Sequence, residues 1–178
     1  MLCNKCKHKE AVAHLKHLGA LCKPCFCEII ERRVRKDLRQ YSPLKRGQNV
    51  LLLNDAGKES VMSSHILTAL AQDIAFILEE RPLATPGDIS SFASVFYPHD
   101  ADDLAAGFLQ GIFSGATHKE QLTLLRSILD IEVQTYCELK ELAFAPMAVD
   151  AFKESLKTLE KNYPGSTFGL LKSKEQLE

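Results

Sequence analysis

No stretch of this 178-residue chain approaches the roughly 18 to 20 consecutive apolar residues that a membrane-crossing helix needs. No membrane role is therefore expected. Neither end reads as an export leader or a lipidation signal, which predicts a cytoplasmic protein whose thiols stay reduced. The Walker spacing G-x-x-x-x-G-K-[ST] is missing as well, so a nucleotide site of that type is not expected.

What the chain does have is a pair of cysteine knuckles, Cys3-Asn4-Lys5-Cys6 and Cys22-Lys23-Pro24-Cys25, in a C-x2-C-x15-C-x2-C spacing. Two residues between cysteines let one tight turn present both thiolates to the same ion, and zinc takes four such ligands at tetrahedral corners. Cys3, Cys6, Cys22 and Cys25 are therefore predicted to hold structural zinc. The rival, a disulfide framework, does not suit a chain with reduced thiols. Cys27 follows Cys25 too closely to share the tetrahedron and is read as a buried thiol. His8, His14 and His17 are read as solvated.

The net charge of -1 hides an asymmetry: residues 1 to 48 hold 12 Lys/Arg against 4 Asp/Glu, a balance of +8, and the remainder carries -9. Much of the basic charge lies between Ile29 and Tyr41. Apolar positions 30, 34, 38 and 41 form one helical stripe there and leave Arg32, Arg33, Arg35, Lys36 and Arg39 around the rest of the surface. With Lys45 and Arg46 these suit an RNA phosphate backbone, where Lys and Arg gain affinity by releasing counterions. A solvated connecting helix would have the same composition.

After Pro43 and Gly47, the apolar run Asn49-Val50-Leu51-Leu52-Leu53 reads as a buried parallel strand. It runs directly into Asn54-Asp55-Ala56-Gly57-Lys58-Glu59-Ser60 and then an apolar-periodic stretch, with a helix expected to continue to about Glu80. Strand, tight turn and helix together point backbone N–H groups and a helix dipole at an anion. By pattern alone Asp55 could equally be a helix cap and Lys58 a surface charge. Cys137 reads as a small core hydrophobe. Thr117 and Glu120 spell a capping box before Leu122 to Leu125. Ala148 to Leu159 reads as an amphipathic helix packed on the sheet.

In order along the chain, these segments resemble the PP-loop tRNA 2-thiolation proteins, the thiouridine synthetases and the cytoplasmic tRNA 2-thiolation pair. The family's S-G-G-K-D-S loop is matched by Asp55 to Ser60, and its H-N-x-D-D element by His99-Asp100-Ala101-Asp102-Asp103. Leu125-Arg126 followed by Glu132-Val133-Gln134-Thr135-Tyr136 is similar to its P-L-R and E-[VI]-x-x-Y elements, and Tyr163 to Ser173 to its Y-P-G ending. The resemblance implies an α/β PP-loop fold: a truncated parallel sheet with helices, preceded by a zinc ribbon and a basic helix. The expected boundaries are 1–27 for the ribbon, 28–47 for the basic helix and linker, and 48–178 for the shortened PP-loop domain. It also implies an ATP/Mg site built from Asp55, Gly57, Lys58, Glu59, Ser60 and His99. Asp102 and Asp103 would be the candidate catalytic acids, although two acids in a helix's first turn are also stabilised by the macrodipole alone.

Three departures weaken the catalytic implication. Asp55 and Ala56 replace a serine and a glycine where a pyrophosphate would approach. Only 38 residues, Val61 to Pro98, separate the loop from His99, too few for the further strand and helix of a usual adenine pocket. The family's additional cysteines are missing. The expectation is a zinc-containing, tRNA-binding, degenerate or accessory member, with ATP/Mg binding doubtful and a protein partner or homodimer through an uncovered sheet edge. The alternatives are an active adenylating tRNA uridine 2-thiolation enzyme and a structural partner without RNA affinity.

Overall fold

The computed structural model describes residues 1–115, 121–148 and 150–177. A short antiparallel hairpin, β1 (Ala13–Leu15) and β2 (Gly19–Leu21), leads into the helix α1 (Lys23–Tyr41). A four-stranded parallel sheet follows in the order β4-β3-β5-β6, made of β3 (Asn49–Asn54), β4 (Ile77–Pro82), β5 (Ser94–Asp100) and β6 (Thr123–Leu125). The other helices are α2 (Lys58–Ile74), α3 (Ala101–Ser114), α4 (Asp130–Lys140), α5 (Ala151–Asn162) and α6 (Ser166–Leu177).

The central strand β3 is where the sequence is most apolar, and Val50 to Leu53 are all buried, as a strand covered on both faces requires. Val50 and Leu52 join one core with Phe26, Ile30, Val34 and Leu38 of α1, Met62, Ile66 and Leu67 of α2, and Val133 and Tyr136 of α4. Cys3, Leu21 and Cys22 belong to the same core, so the hairpin and α1 are built onto the sheet's helical layer. A second, smaller core joins Ala105 and Ala106 of α3 to Leu156 of α5, with Leu170 and Leu171 of α6 against it.

The structure corrects three local expectations. The helix after the loop ends at Ile74 rather than near Glu80, with Ala75 left-handed at φ 61° as its cap. Residues 77–82 then pair with β3 along its whole length, because those ladder bonds outweigh the helix propensity of Leu78, Glu79 and Glu80. This makes β4 a sheet edge, and the interval before β5 thus holds an additional strand. Thr123 to Leu125 form β6 rather than a helical turn, and the Thr117 and Glu120 of the expected capping box lie outside the described residues. Finally, α5 packs on α3 and α6, not on the sheet.

One buried carboxylate joins the amino-terminal part to the rest. Glu132 is fully buried in the first turn of α4, where its Oε2 accepts the Leu129 N–H at 2.8 Å. Its Oε1 takes Arg33 Nη1 of α1 at 2.5 Å and lies 2.9 Å from His17 Nε2 of the hairpin turn. Burial opposes its ionisation, but His17 and Arg33 hold its carboxyl below the usual range. Glu132→Gln is expected to destabilise the fold by about 2 to 4 kcal/mol, since breaking a largely buried ion pair strands the partner charge. Denaturant unfolding at pH 7 measures this, and a change under about 0.5 kcal/mol would show that the pair does not tie the two parts together.

Candidate functional site

Two groups of chemistry-bearing side chains stand out. At the amino terminus, Cys3, Cys6, Cys22 and Cys25 bring their sulfurs within 4.8 Å of one another, with Cys6 Sγ and Cys22 Sγ 3.8 Å apart. Pro24 lies in the first turn of α1, so the second knuckle is the start of that helix. Burial raises the Cys3 thiol, but the backbone N–H groups of Cys6, Cys22 and Lys5 outweigh it and bring the value down to about 6. Burial and the three neighbouring thiols push Cys25 up to about 12. A cation among them would let all four ionise, and the arrangement can hold a metal.

The second group lies beyond the carboxyl ends of β3 and β5, where open parallel sheets place their ligands. A cleft of about 370 Å³ opens there between the loop Asp55 to Lys58, the end of β5 and helix α5. The loop is occupied by its own side chain. Asp55 Oδ1 accepts the Gly57 N–H at 2.8 Å and the Ser60 hydroxyl at 2.5 Å, while Ser60 Oγ accepts the Asp55 N–H at 3.0 Å. Ala56 takes a left-handed φ of 65°, a conformation that a methyl-bearing residue adopts only at a cost. Residues 145–147 cover the turn, with the Ala145 N–H donating to Ala56 O and Met147 against Gly57.

The floor of the cleft is a dense ion network centred on Lys153 of α5. Its Nζ lies 3.1 Å from Glu59 Oε1, 3.1 Å from Asp100 Oδ2, 2.7 Å from Asp103 Oδ1 and 3.0 Å from Asp130 Oδ1. Lys58 Nζ joins at 2.6 Å from Asp130 Oδ1 and 3.3 Å from Glu59 Oε1, and Lys157 at 3.2 Å from Asp130 Oδ2. Burial disfavours the charged Lys153, but the four carboxylates outweigh it and raise its pKa. Burial likewise works against ionised Asp130, yet Lys153 and Lys58 draw it down to about 2. Asp100 is fully buried, and burial followed by the nearby Asp103 raises it well above its usual value.

Local sequence explains the geometry. Asp100 caps α3 by accepting the Asp103 N–H, and Asp103 returns the bond to the Asp100 N–H, so the sheet end and the helix start are fixed together. Asp150 caps α5 through the Phe152 and Lys153 N–H groups, and the four-residue spacing sets Lys153 and Lys157 on one face with Leu156.

Of the expected site residues, Asp55, Lys58, Glu59, His99 and Asp103 line this cleft, and Gly57 and Ser60 lie in its loop. Asp102 turns away, accepting the Asp130 N–H at 2.7 Å and the Thr167 hydroxyl at 2.8 Å, so it braces α4 and α6 against α3. Asp100, Asp130 and Lys153 were missed as site residues. A signal for Lys153 was present, as it sits one turn before Leu156 on the buried side of an amphipathic helix. On α1, Arg32, Lys36 and Arg39 are exposed, as are Lys45 and Arg46 in the linker. Arg35 is 3.6 Å from Asp73, whereas Arg33 points inward to Glu132 and to the Ser127 carbonyl.

Over 75 residues the chain is 36% identical to the tRNA-5-methyluridine(54) 2-sulfurtransferase of Thermotoga maritima, a match covering 42% of this chain and 24% of that protein. Over 74 residues it is 38% identical to the tRNA 2-thiolation protein NcsA of Haloferax volcanii, covering 38% and 23%. Over 70 residues it is 31% identical to cytoplasmic tRNA 2-thiolation protein 1 of Saccharomyces cerevisiae, covering 39% and 20%. The chain is a relative of the PP-loop tRNA 2-thiolation proteins. Its fold agrees: the U34-tRNA thiolase NcsA from Methanococcus maripaludis, solved with its [4Fe-4S] cluster, superposes with a TM-score of 0.76 at 20% identity, covering 99% of this chain and 87% of that one. No protein-family profile matches. The matched segments thus span about a quarter or less of the curated 2-thiolation relatives.

Among the described residues, no cysteine group that could hold a [4Fe-4S] cluster stands at the cleft. Such a cluster ordinarily takes four cysteines, and beyond the two knuckles the chain has Cys27 and Cys137 alone. Both are buried, and burial pushes both thiols up, Cys137 to about 11 with Glu59 adding to the effect.

Lys153→Met removes the cation that four carboxylates share. The variant is expected to lose about 3 to 5 kcal/mol at neutral pH. Without Lys153 the folded-state carboxyls rise above their unfolded values, so their penalty appears as pH rises and fades as it falls. The difference from wild type should therefore be smaller at pH 4 than at pH 7 in denaturant unfolding. Equal differences at both pH values would show that the ammonium is not what neutralises the cleft.

Proposed function

We propose that this chain is a zinc-containing, tRNA-binding member of the 2-thiolation family whose phosphate loop does not take ATP. The observation that carries this reading is the Asp55 carboxylate, which sits in the turn and accepts the Gly57 N–H and Ser60 hydroxyl that an incoming phosphate oxygen would need. A phosphate brought to the same place would meet a like charge. At about 4 Å that costs on the order of 1 to 4 kcal/mol, depending on the local dielectric.

The cation side of the cleft supports the same reading. Glu59, Asp100 and Asp130 bring their oxygens within 4.8 Å of one another, and Lys153 Nζ stands within 3.1 Å of each. An ammonium fixed there occupies the place that a divalent ion would otherwise take. The anion side of the cleft thus holds its own carboxylate and the cation side its own ammonium.

Zinc suits the cysteine cluster because four ligands at about 2.3 Å from one tetrahedral ion stand roughly 3.8 Å apart, the separation of Cys6 and Cys22. A four-iron cube would hold its thiolates further apart. The RNA-facing surface is the exposed part of the amino-terminal charge, Arg32, Lys36 and Arg39 on α1, which packs into the core of the sheet's helical layer, and Lys45 and Arg46 in the linker after it. The names of the curated relatives, all tRNA 2-thiolation proteins, make tRNA the RNA of choice.

Purified protein is expected to carry one zinc per chain, and a chelator should abolish the amide dispersion of the hairpin, since metal binding supplies roughly 10 to 16 kcal/mol to such modules. Unchanged hairpin signals after chelation would exclude the zinc role. Calorimetry with Mg-ATP should give no heat for the wild type, and micromolar binding would establish an ATP site and favour the enzyme. In parallel, tRNA affinity should fall steeply with salt. Neutralising Arg32, Lys36 and Arg39 together should lower it and reduce the salt slope by about one for each phosphate left without its cation. Undiminished affinity in that triple variant would remove the basic helix from the interface.

A further inference from the structure

The cleft over the loop is not the only cavity on this side of the molecule. A second one, of about 470 Å³, lies between the β1-β2 hairpin, the start of α4 and the end of α5. Its apolar lining is Leu15, Leu129, Ile131 and Pro164, with Ile131 half exposed on α4 although nothing in the core requires it there. Its rim carries Lys16, Lys157 and Lys161 with His14 beside them, and Asp102, Asp130 and Glu160 lie among them.

The acidic groups of this cavity are already committed. Asp102 accepts the Asp130 N–H and the Thr167 hydroxyl, and Glu160 accepts the Gly165 and Thr167 N–H groups. Asp130 is held by Lys58, Lys153 and Lys157. The rim cations differ. Lys16 Nζ donates to the carbonyl of Lys161 at 2.8 Å, which fixes its position and leaves two of its three protons to offer. Among the described residues, His14, Lys16 and Lys161 form no ion pair. An apolar floor beside two lysines, Lys16 and Lys161, that form no ion pair among the described residues matches an anion that also carries an apolar body.

We propose that this cavity takes a single unpaired nucleotide, its phosphate at Lys16 and Lys161 and its base against Leu15 and Ile131. The inference rests on the RNA-binding reading for the source of that nucleotide, either a looped-out residue of a bound RNA or a free nucleoside monophosphate. The position is apt for an RNA. His17, next to Lys16, meets Arg33 of α1 on the Glu132 carboxylate, which ties the hairpin wall of the cavity to the helix that carries the basic residues. The Lys157–Asp130 pair forms its inner wall and separates it from the loop cleft.

Uridine 5′-monophosphate is the probe. In methyl NMR of the zinc-loaded full chain it should shift Leu15, Leu129 and Ile131, and uridine or inorganic phosphate alone should shift them less. Ile131→Trp, a change on a half-exposed position that fills the cavity, should abolish the Leu15 and Leu129 shifts. It should also weaken tRNA binding by about tenfold with the salt slope unchanged, as expected for loss of one base's packing. Methyl shifts with unaltered tRNA binding in Ile131→Trp would assign a free nucleotide as the ligand. Wild-type protein that binds tRNA, shows no methyl shifts with the monophosphate and is indifferent to Ile131→Trp would overturn the cavity while leaving the RNA reading intact. Wild-type protein that binds no tRNA would remove the RNA reading, and the methyl shifts would then decide the cavity alone.

Discussion

The ammonium of Lys153 is the interaction on which the cleft depends, because it is the point where four separate elements meet. Glu59 belongs to α2, Asp100 to the end of β5, Asp103 to α3 and Asp130 to α4. Four carboxylates brought that close repel one another strongly in a site shielded from water, and one buried cation shared among them offsets much of the repulsion. The arrangement also explains why α5 lies where it does. Asp150 caps the helix, Leu156 joins the smaller core, and Lys153 is thereby carried inward over the sheet ends.

Occupancy by its own side chains gives the cleft its character. An anion-binding turn is useful to a ligand when its N–H groups are open, and a carboxylate cluster is useful to a divalent ion when it lacks a cation. Here Asp55 fills the first role and Lys153 the second. The same fold that places backbone donors at the mouth of the sheet therefore leaves neither the turn nor the carboxylate cluster open. The exposed basic charge lies elsewhere, on α1, in the linker after it and around the hairpin.

The hairpin and α1 are more than an appendage. Glu132 connects them to α4 through His17 and Arg33, and Cys3, Cys22, Phe26 and Ile30 share the core of the sheet's helical layer. A metal held by the four cysteines would thus order the hairpin and, through it, one wall of the second cavity. The Lys157–Asp130 pair lines both the second cavity and the loop cleft.

Much of this could be read from the chain alone where the relevant chemistry is local. The cysteine spacing placed four thiols together because a two-residue turn has few conformations. The run Val50 to Leu53 marked the central strand because only a strand covered on both faces is apolar at every position. The loop after it followed from the strand-turn-helix order. Tertiary structure decided the rest, because it depends on groups far apart in sequence. Pairing with β3 turned residues 77–82 from helix to strand, and packing of α1 against α4 drew Arg33 away from the basic face. Lys153 met carboxylates 23 to 94 residues distant. A sequence pattern records which side of a helix is apolar, but it does not record which charge is waiting on the other side when the helix docks.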